Sequence, residues 1–195
     1  MKTVIIDYGA GNVRSVSSAL SFIGVDAILS NDPEVIQKSD FVIFPGVGHA
    51  KSAMDSLKEK QLHRLIPTLK QPVLGICLGM QLLCGHNEEG DIEGLGIFDV
   101  PVLKFTVSPK VPHMGWNTIH DAQGFCTGFD QHFYFVHSYF VPVCSDTVAK
   151  CTYGHEFSAA LQKNNFFATQ FHPEKSSDAG LALLTSFFKQ QKITE

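Results

Sequence analysis

The feature that most constrains the fold is a cysteine set between two glycines, where a strand gives way to a helix: Gly75-Ile76-Cys77-Leu78-Gly79. Residues 72–76 form an apolar run typical of a buried strand, and residues 78–83 indicate an amphipathic helix. In so tight a turn, the residues two positions either side of the cysteine must lack Cβ atoms, which accounts for Gly75 and Gly79. The pattern predicts an elbow that presents Cys77 as a nucleophile, with a helix dipole favouring its thiolate. A buried cysteine at an ordinary turn is disfavoured, because glycines, strand and helix coincide.

The elbow belongs to a longer alternation of strands and helices. Strand-like runs at residues 3–7, 27–29, 41–44 and 72–76 alternate with helical patterns at 13–23, 33–39, 50–69 and 78–83. Such a rhythm predicts a parallel sheet with helices on both faces and right-handed crossovers. Pro45-Gly46 is expected to end the third strand.

The second half of the chain has a different pattern. Its strand-like segments fall at residues 100–105, 117–120, 134–141, 149–152, 158–162 and 167–171. Short turns between them favour an antiparallel or mixed extension of the sheet. A last helix at 179–190 is expected to turn Leu181, Leu184 and Phe188 inward. The sequence therefore predicts an α/β fold of three layers, flavodoxin-like, as a single domain over residues 1–195.

Composition excludes several classes of protein. The net charge of −4 argues against nucleic-acid binding, and no apolar run approaches the roughly 18 residues of a membrane span. The N-terminal apolar run is too short for a signal peptide, so a cytoplasmic protein is expected. Five cysteines at irregular spacing indicate buried thiols rather than disulfides or zinc. The histidines show no metal-ligand spacing, so neither a metal site nor a cofactor is predicted.

A base for Cys77 is available in Gln170-Phe171-His172-Pro173-Glu174. His172 follows a strand that Pro173 terminates, and Glu174 is close enough in the chain to orient its imidazole. A surface His-Pro turn is the alternative interpretation of this stretch alone. A third element, Pro45-Gly46-Val47-Gly48, follows the third strand, where its glycines allow close backbone approach. It is placed to aim an N–H at an oxyanion beside the N–H of Leu78.

These three motifs resemble the triad-type glutamine amidotransferases. Four stretches narrow the resemblance to the glutaminase subunits of imidazole glycerol phosphate synthase: DYGAGN at 7–12, KVPHMGWN at 110–117, YFVHSY at 134–139 and QFHPEKS at 170–176. The resemblance covers essentially the whole chain and implies the class I glutamine amidotransferase fold.

The resemblance also implies a role for each matching residue. Cys77 would form a glutamyl thioester from L-glutamine, His172 would transfer protons, and Glu174 would orient His172. The oxyanion hole would comprise the N–H of Leu78 and one near Val47 or Gly48. Substrate binding is implied for five residues: Gly46, Gln81, His137, Ser138 and Tyr139.

Family members work with a cyclase subunit, a (β/α)8 barrel, in a heterodimer that makes imidazole glycerol phosphate and an aminoimidazole carboxamide ribotide in histidine biosynthesis. The stretches implied to meet this partner contain Asn12, Met114, Trp116 and Asn117. Two alternatives remain open. One is a glutaminase serving another synthase, for anthranilate, aminodeoxychorismate or pyridoxal phosphate; the other is a flavodoxin-like redox sensor with a reactive cysteine, which needs neither base nor oxyanion loop.

Overall fold

The computed structural model describes residues 1–9, 12–106 and 110–192. Helices and strands alternate through the first half of the chain, as the sequence predicts. The α-helices are α1 Val13–Phe22, α2 Pro33–Gln37, α3 Ala50–Glu59, α4 Leu62–Leu65, α5 Leu78–Leu83 and α6 Ser177–Lys192. Single 3-10 turns lie at Ile66–Thr68, Gly124–Cys126 and Pro173–Lys175. None of the helices in the described part of the chain has both the length and the apolar character that a bilayer-spanning segment needs.

The strands fall into a parallel group and an antiparallel group. They are β1 Thr3–Ile6, β2 Ala27–Ser30, β3 Phe41–Gly46, β4 Val73–Cys77, β5 His86–Asn87, β6 Ile92–Glu93, β7 Leu103–Lys104, β8 His113–His120, β9 His132–His137, β10 Tyr139–Phe140, β11 Thr147–Tyr153, β12 His155–Lys163 and β13 Phe166–Thr169. The large sheet has the order β2-β1-β3-β4-β13-β12-β11-β8-β9. Strands β2 to β13 in that order are parallel, and the following four pair antiparallel. This confirms the α/β class and the antiparallel extension.

The parallel strands are buried on both faces, which explains why they are continuous apolar runs. In β1, Ile5 belongs to a core shared with α1 and α6, whereas Val4 and Ile6 belong to a second core shared with α3, α4 and α5. Successive side chains point to opposite faces of a strand, so one short run supplies both cores. In α6 the buried residues include Leu183, Leu184, Phe187 and Phe188. Leu181, expected to be inward, is only partly buried, although it packs against the same core.

Three predictions about the first half are wrong in detail. Strand β3 runs on through Pro45 and Gly46, because Pro45 pairs with Ile76 and Gly46 with Cys77 in a parallel ladder. The helix expected over 50–69 is broken at Gln61, which has a left-handed backbone with φ 58°. Helix α5 is not amphipathic: all six of its residues are buried. The segment after it covers its outer side, since Leu95 N–H and Ile97 N–H donate to carbonyls of α5.

The second half departs most at the strand boundaries. The strand expected at 117–120 begins four residues earlier, at His113, and the one expected over 134–141 is divided between β9 and β10. Only Leu103–Lys104 of the segment expected over 100–105 is a strand, where β7 pairs with β10. These elements are set by pairing with distant strands, which local residue patterns do not reveal.

Candidate active site

The Cys77 backbone has the strained conformation expected of an elbow. Cys77 ends β4 and directly precedes α5, with φ 54° and ψ −108°. A Cβ added at Gly79 would lie 2.0 Å from the Phe44 carbonyl oxygen, and one at Gly75 would lie 2.7 Å from Leu83 Cδ1. The contact at Gly79 is with a main-chain atom and is too short for any side chain. At Gly75 the leucine methyl group could move, but Gly79 C and Met80 N, both at 3.1 Å, would still be crowded, so both glycines help α5 to approach the sheet. The sequence-based explanation of the two glycines is confirmed.

His172 and Glu174 form a buried pair beside Cys77. His172 Nδ1 lies 2.7 Å from Glu174 Oε1, and both side chains are 1 % exposed. The main chain of His172 is tied to β9, since its N–H donates to the Tyr134 carbonyl and its own carbonyl accepts from Ser176 Oγ. Because Nδ1 is engaged by Glu174, Nε2 is the ring nitrogen left to exchange a proton with the thiol.

The charges around His172 favour its protonated form. Burial lowers the pKa of His172, but the negative charge of Cys77 and the hydrogen bond and charge of the Glu174 carboxylate outweigh burial and raise that pKa to about 10. The arrangement therefore favours an imidazolium between Cys77 and the Glu174 carboxylate, a pattern that suits a cysteine nucleophile.

A cavity of about 290 Å³ opens at Cys77. Nine residues singled out in the sequence line it: Val47, Gly48, Cys77, Leu78, Gln81, His137, Ser138, Tyr139 and His172. Glu174 lies behind His172 and does not line the cavity. Gly46 does not line it either, but a Cβ there would meet Gly79 N at 2.6 Å, so Gly46 lets β3 approach the elbow. A volume of this size accommodates a small amino acid rather than a large cofactor.

The loop opposite Cys77 is held by a tyrosine that sequence reasoning did not single out. Tyr8 is fully buried, and its hydroxyl donates to the Pro45 carbonyl at 2.7 Å. Ser56 Oγ in turn donates to the Tyr8 carbonyl. Burial, together with the negative charge of Cys77, raises the pKa of Tyr8, so its hydroxyl remains a donor. Beyond Pro45 the chain turns through Gly48 at φ 108°, a conformation that favours glycine.

Replacing Tyr8 with phenylalanine should weaken both stability and activity. The change keeps the ring and removes one buried hydrogen bond, so we expect the free energy of unfolding to fall by about 1–2 kcal/mol. Because the loop at Val47 and Gly48 loses its anchor, kcat for glutamine should fall several-fold. Urea denaturation and glutamate release measure the two effects. The matched control is Tyr153→Phe, which removes an exposed hydroxyl that donates to the Lys110 carbonyl, also at 2.7 Å; equal losses in both variants would contradict this role for Tyr8.

Two buried amides extend the site behind Cys77. Gln81 Nε2 lies 3.0 Å from both the Tyr139 carbonyl oxygen and Gln170 Oε1. Gln170 Nε2 then lies 3.8 Å from Cys77 Sγ, while the Val136 carbonyl oxygen lies 3.9 Å from the same sulfur. Since both N–H groups of the Gln81 amide are used, its oxygen is the group left to accept a hydrogen bond from a ligand. Gln170 belongs to one of the stretches that carry the family resemblance, but the resemblance implies no role for it.

Comparison with known proteins now identifies the family. Residues 4–191 match the family model described as glutamine amidotransferase class-I. Imidazole glycerol phosphate synthase subunit HisH of Bacteroides thetaiotaomicron is 52% identical over 193 residues, covering 96% of this chain and 98% of that protein. The chain belongs to the HisH family of class I glutamine amidotransferases. The HisH of Escherichia coli K12 is 46% identical over 195 residues, covering 97% of this chain and 100% of that protein.

Solved structures agree on the amidotransferase fold. A crystal structure of a glutamine amidotransferase aligns with a TM-score of 0.73 at 17% identity, covering 93% of this chain and 96% of its own. PurLQS from Thermotoga maritima gives a TM-score of 0.73 at 16% identity, covering 97% and 98%. At these identities the likeness shows the fold alone, which is the class I glutamine amidotransferase fold expected from the motifs.

In this HisH family member, the residues predicted to contact a partner differ in how exposed their side chains are. Met114 and Trp116 on β8 are 63% and 50% exposed. Asn117, in contrast, turns its amide inward, where Nδ2 lies 3.0 Å from the Thr152 carbonyl oxygen and 3.2 Å from His113 Nε2. Asn12 precedes α1 and is half-buried, whereas Ala10 and Gly11 of the same stretch lie outside the described residues.

Glu89 lines the cavity, although the sequence predicts that it lies in a solvated loop. The acidic stretch at residues 88–91 indicates a solvated loop, yet Glu89 lines the cavity and its Oε2 accepts from the Ala50 N–H at 2.8 Å. This carboxylate caps the first turn of α3, which directly follows the loop at Val47 and Gly48. Pro112 and Val136 also line the cavity and carry no chemical signal in the sequence.

Among the described residues, one cluster has side-chain atoms close enough to share a metal ion: His120, Asp121 and Glu156. Lys150 Nζ lies 3.0 Å from Asp121 Oδ2 and 3.2 Å from Glu156 Oε2, so one ammonium group already forms ion pairs with both carboxylates. The hydrogen bond and charge of Lys150 lower the pKa of Asp121 accordingly. The cluster is a surface ion-pair network rather than a part of the catalytic cavity.

Two buried histidines, His113 and His137, make the folding stability of this amidotransferase depend on pH. Burial lowers the pKa of His113 to about 4 and that of His137 to about 3, the latter against a hydrogen bond to Tyr139 that raises it. Between pH 6.5 and pH 4 the unfolded chain therefore binds protons that the folded chain does not. Stability that is complete above pH 6.5 should be lost as the pH falls through this window, by about 1.4 kcal/mol per pH unit for each histidine.

Urea denaturation of the wild type and of His113→Asn at pH 5, 6 and 7 measures this dependence. The variant should lose stability less steeply with falling pH, because one of the two titrating rings is gone. Equal slopes in the two proteins would contradict the assignment.

Proposed function

We propose that this chain, as one glutamine amidotransferase domain, hydrolyses L-glutamine to glutamate and ammonia and supplies the ammonia to the cyclase subunit of an imidazole glycerol phosphate synthase in histidine biosynthesis. The observation that carries the proposal is the elbow at Cys77, facing a His172 whose Nδ1 lies 2.7 Å from Glu174. Full-length identity of 52% and 46% to imidazole glycerol phosphate synthase subunits favours this synthase over those for anthranilate, aminodeoxychorismate or pyridoxal phosphate.

In the first half of the reaction the Cys77 thiolate attacks the side-chain amide carbon of glutamine. The carbonyl oxygen becomes an oxyanion, which the N–H of Leu78 and an N–H at Val47 or Gly48 stabilise. The tetrahedral intermediate collapses, the His172 imidazolium gives its Nε2 proton to the leaving nitrogen, and ammonia departs. A glutamyl thioester remains on Cys77, and His172 is neutral.

In the second half His172 acts as a general base. Its free Nε2 takes a proton from a water molecule, whose oxygen attacks the thioester carbon. The second tetrahedral intermediate expels the Cys77 thiolate, glutamate is released, and the thiolate–imidazolium pair is restored. Throughout the reaction the Glu174 carboxylate accepts a hydrogen bond from the Nδ1–H of His172. This hydrogen bond keeps the proton on Nδ1 and leaves Nε2 free to exchange protons with the reacting groups.

Polar groups that line the cavity suit the α-ammonium and α-carboxylate groups of glutamine. The Gln81 amide oxygen and the main chain at His137, Ser138 and Tyr139 offer polar groups to the ammonium and carboxylate of the substrate. The Glu89 carboxylate adds negative charge at the same cavity, which favours the ammonium group. Gly46 acts indirectly, by letting β3 pack against the elbow.

The partner is proposed to be a (β/α)8 barrel that binds as a heterodimer at the surface containing Asn12, Met114, Trp116 and Asn117. Exposed aromatic and methionine side chains are typical of protein interfaces, and Trp116 and Met114 project from one strand. Asn117 is anchored to its own subunit and so shapes this surface rather than projecting from it.

The decisive experiment is glutamate release from glutamine by this chain alone, and then with the cyclase subunit and its nucleotide ligand. Strong stimulation by the loaded cyclase supports both the chemistry and the synthase. Activity that ignores the cyclase would keep the triad but move the chain to another synthase. A redox sensor would release no glutamate in either condition, and its Cys77 would not be labelled by a diazo-ketone analogue of glutamine.

Because Trp116 is the only tryptophan in the sequence, it reports on the interface directly. Fluorine NMR of the chain labelled with fluorotryptophan should give one signal that shifts when the cyclase binds. Trp116→Ala should weaken the complex by about 2 kcal/mol or more, measured by titration calorimetry. As a control, Phe22→Ala removes another strongly exposed aromatic, 79% exposed on α1, outside the proposed surface. An unshifted signal would contradict this placement of the partner.

A further inference from the structure

A line of buried hydrogen bonds starts behind the catalytic cavity and leads away from it. The Tyr139 carbonyl oxygen lies 2.7 Å from His137 Nδ1, and His137 Nε2 lies 2.9 Å from His113 Nδ1. His113 Nε2 then lies 3.2 Å from Asn117 Nδ2. His137 lines the cavity, whereas His113 does not, and the reaction described above uses no atom of His113.

The proton positions along this line follow from its inner end. A carbonyl oxygen only accepts, so His137 Nδ1 carries a proton, and in a neutral ring Nε2 is then an acceptor. His113 must therefore donate from Nδ1, which leaves its own Nε2 to accept from the Asn117 amide. The low pKa values of both rings agree with this neutral state. Each ring nitrogen has one partner and one role.

The His113 ring has little freedom to turn. It is 3% exposed and stacks between two aromatic rings, Tyr153 at 4.0 Å between centroids and Phe135 at 4.9 Å. The interplanar angles are 20° and 24° respectively. Because stacking fixes the plane and the hydrogen bonds fix the rotation, His113 presents its Nδ1–H to His137 in one orientation.

On the inner side the same carbonyl leads to the reacting sulfur. Tyr139 O accepts from Gln81 as well as from His137, so this oxygen is held from two directions. Gln81 continues to Gln170, whose amide contacts Cys77 Sγ. Rotation of the His137 ring would free Tyr139 O and allow the Gln81 amide to turn, which would change the acceptor that the cavity offers to glutamine.

We propose that His113 is a positioning residue of the glutaminase site, fixing the His137 ring and, through the Tyr139 carbonyl, the Gln81 amide that receives the substrate. His113 touches no reacting atom, so its loss should weaken glutamine binding more than the chemical step. The inference rests on the proposed glutaminase function.

The test uses the complex with the cyclase subunit and its nucleotide ligand. His113→Phe keeps an aromatic ring for stacking and removes the donor to His137. His113→Asn keeps an N–H near the position of Nδ1. The matched control is His155→Phe, which removes a ring packed against Phe105 and Phe140 in the same aromatic group. His155 Nε2 is buried and has no hydrogen-bond partner among the described residues, so this ring makes no comparable link through that nitrogen.

We expect His113→Phe to raise KM for glutamine at least tenfold and to change kcat less than threefold. The rate at which iodoacetamide alkylates Cys77 should stay within twofold of wild type, because this reagent does not bind to the Gln81 amide. His113→Asn should restore KM to within threefold, and His155→Phe should leave it unchanged. Unchanged KM in His113→Phe, or equal effects on KM, kcat and alkylation, would overturn the inference.

Nitrogen NMR of the wild-type chain provides a measurement that needs no variant. Both His113 and His137 should show the tautomer protonated at Nδ1, and a proton on Nε2 of His137 would overturn the inference even if His113→Phe does not fold. A wild-type complex that releases no glutamate would overturn the proposed function, and the inference with it. An active wild-type complex with the wrong tautomer would overturn the inference alone.

Discussion

Replacing Cys77 with alanine should lower glutamine hydrolysis by the complex by about four to six orders of magnitude, because no other group can form the thioester. Alanine keeps the Cβ atom, so the strain of the elbow at φ 54° is the same and the fold should persist. Synthase activity with added ammonia should stay close to wild type, because the added ammonia replaces the ammonia that glutamine hydrolysis would supply. Glutamate release and ammonia-dependent product formation, measured on one sample, separate the two effects.

The control for this substitution is Cys144→Ala, which removes the most exposed of the other four thiols and should leave hydrolysis unchanged. The remaining three are buried, and burial raises the pKa of each, to about 12 for Cys151. They are therefore poor nucleophiles at neutral pH. Substantial hydrolysis by Cys77→Ala would refute the catalytic assignment, and equal loss in both variants would indicate a structural role for the thiols.

Replacing Gly79 with alanine should strongly destabilise the fold. Alanine is the better helix former by about 1 kcal/mol, so an exposed helical glycine would gain from this change. Here the new Cβ would lie 2.0 Å from the Phe44 carbonyl oxygen, a main-chain atom in the middle of the sheet. The clash outweighs the propensity, and we expect the free energy of unfolding to fall by roughly 3 kcal/mol or more.

Any relief of that clash moves α5 away from β3, which displaces Leu78 and Cys77 together, so glutamate release should also be lost. Gly85→Ala is the matched control, since its Cβ would meet only the Val100 carbonyl oxygen at 3.5 Å, an ordinary contact. That variant should unfold within about 1 kcal/mol of wild type in urea. Comparable stability of Gly79→Ala and Gly85→Ala would refute the close packing of the elbow.

The parts of the site that could be predicted from the sequence are those determined by local chemistry. The elbow follows from glycine positions around one cysteine, and the candidate base follows from three consecutive residues, His172, Pro173 and Glu174. Buried parallel strands are visible because both of their faces are apolar. These signals need no knowledge of distant contacts, and they are sufficient to pair Cys77 with His172 at one site.

The supporting residues could not be found in this way, because their roles depend on contacts made across the fold. Tyr8 and Pro45 are 37 positions apart, and Gln170 and Cys77 are 93 positions apart. In the sequence, His113 looks like any other residue of a strand. Its proposed role depends on its contact with His137 on β9, which the sequence does not reveal. The extension of β3 through Pro45 likewise depends on its pairing with β4, which overrides the tendency of a Pro-Gly pair to end a strand.

The position of β13 has a consequence for how the chain is made. This strand comes last among the described strands, yet it lies between β4 and β12 and joins the parallel half of the sheet to the antiparallel half. A growing chain on the ribosome therefore carries two unpaired apolar sheet edges until residue 169 has emerged. An interrupted chain should aggregate or be degraded rather than persist as a folded half, and because His172 arrives after β13, a partial product lacks the proposed general base.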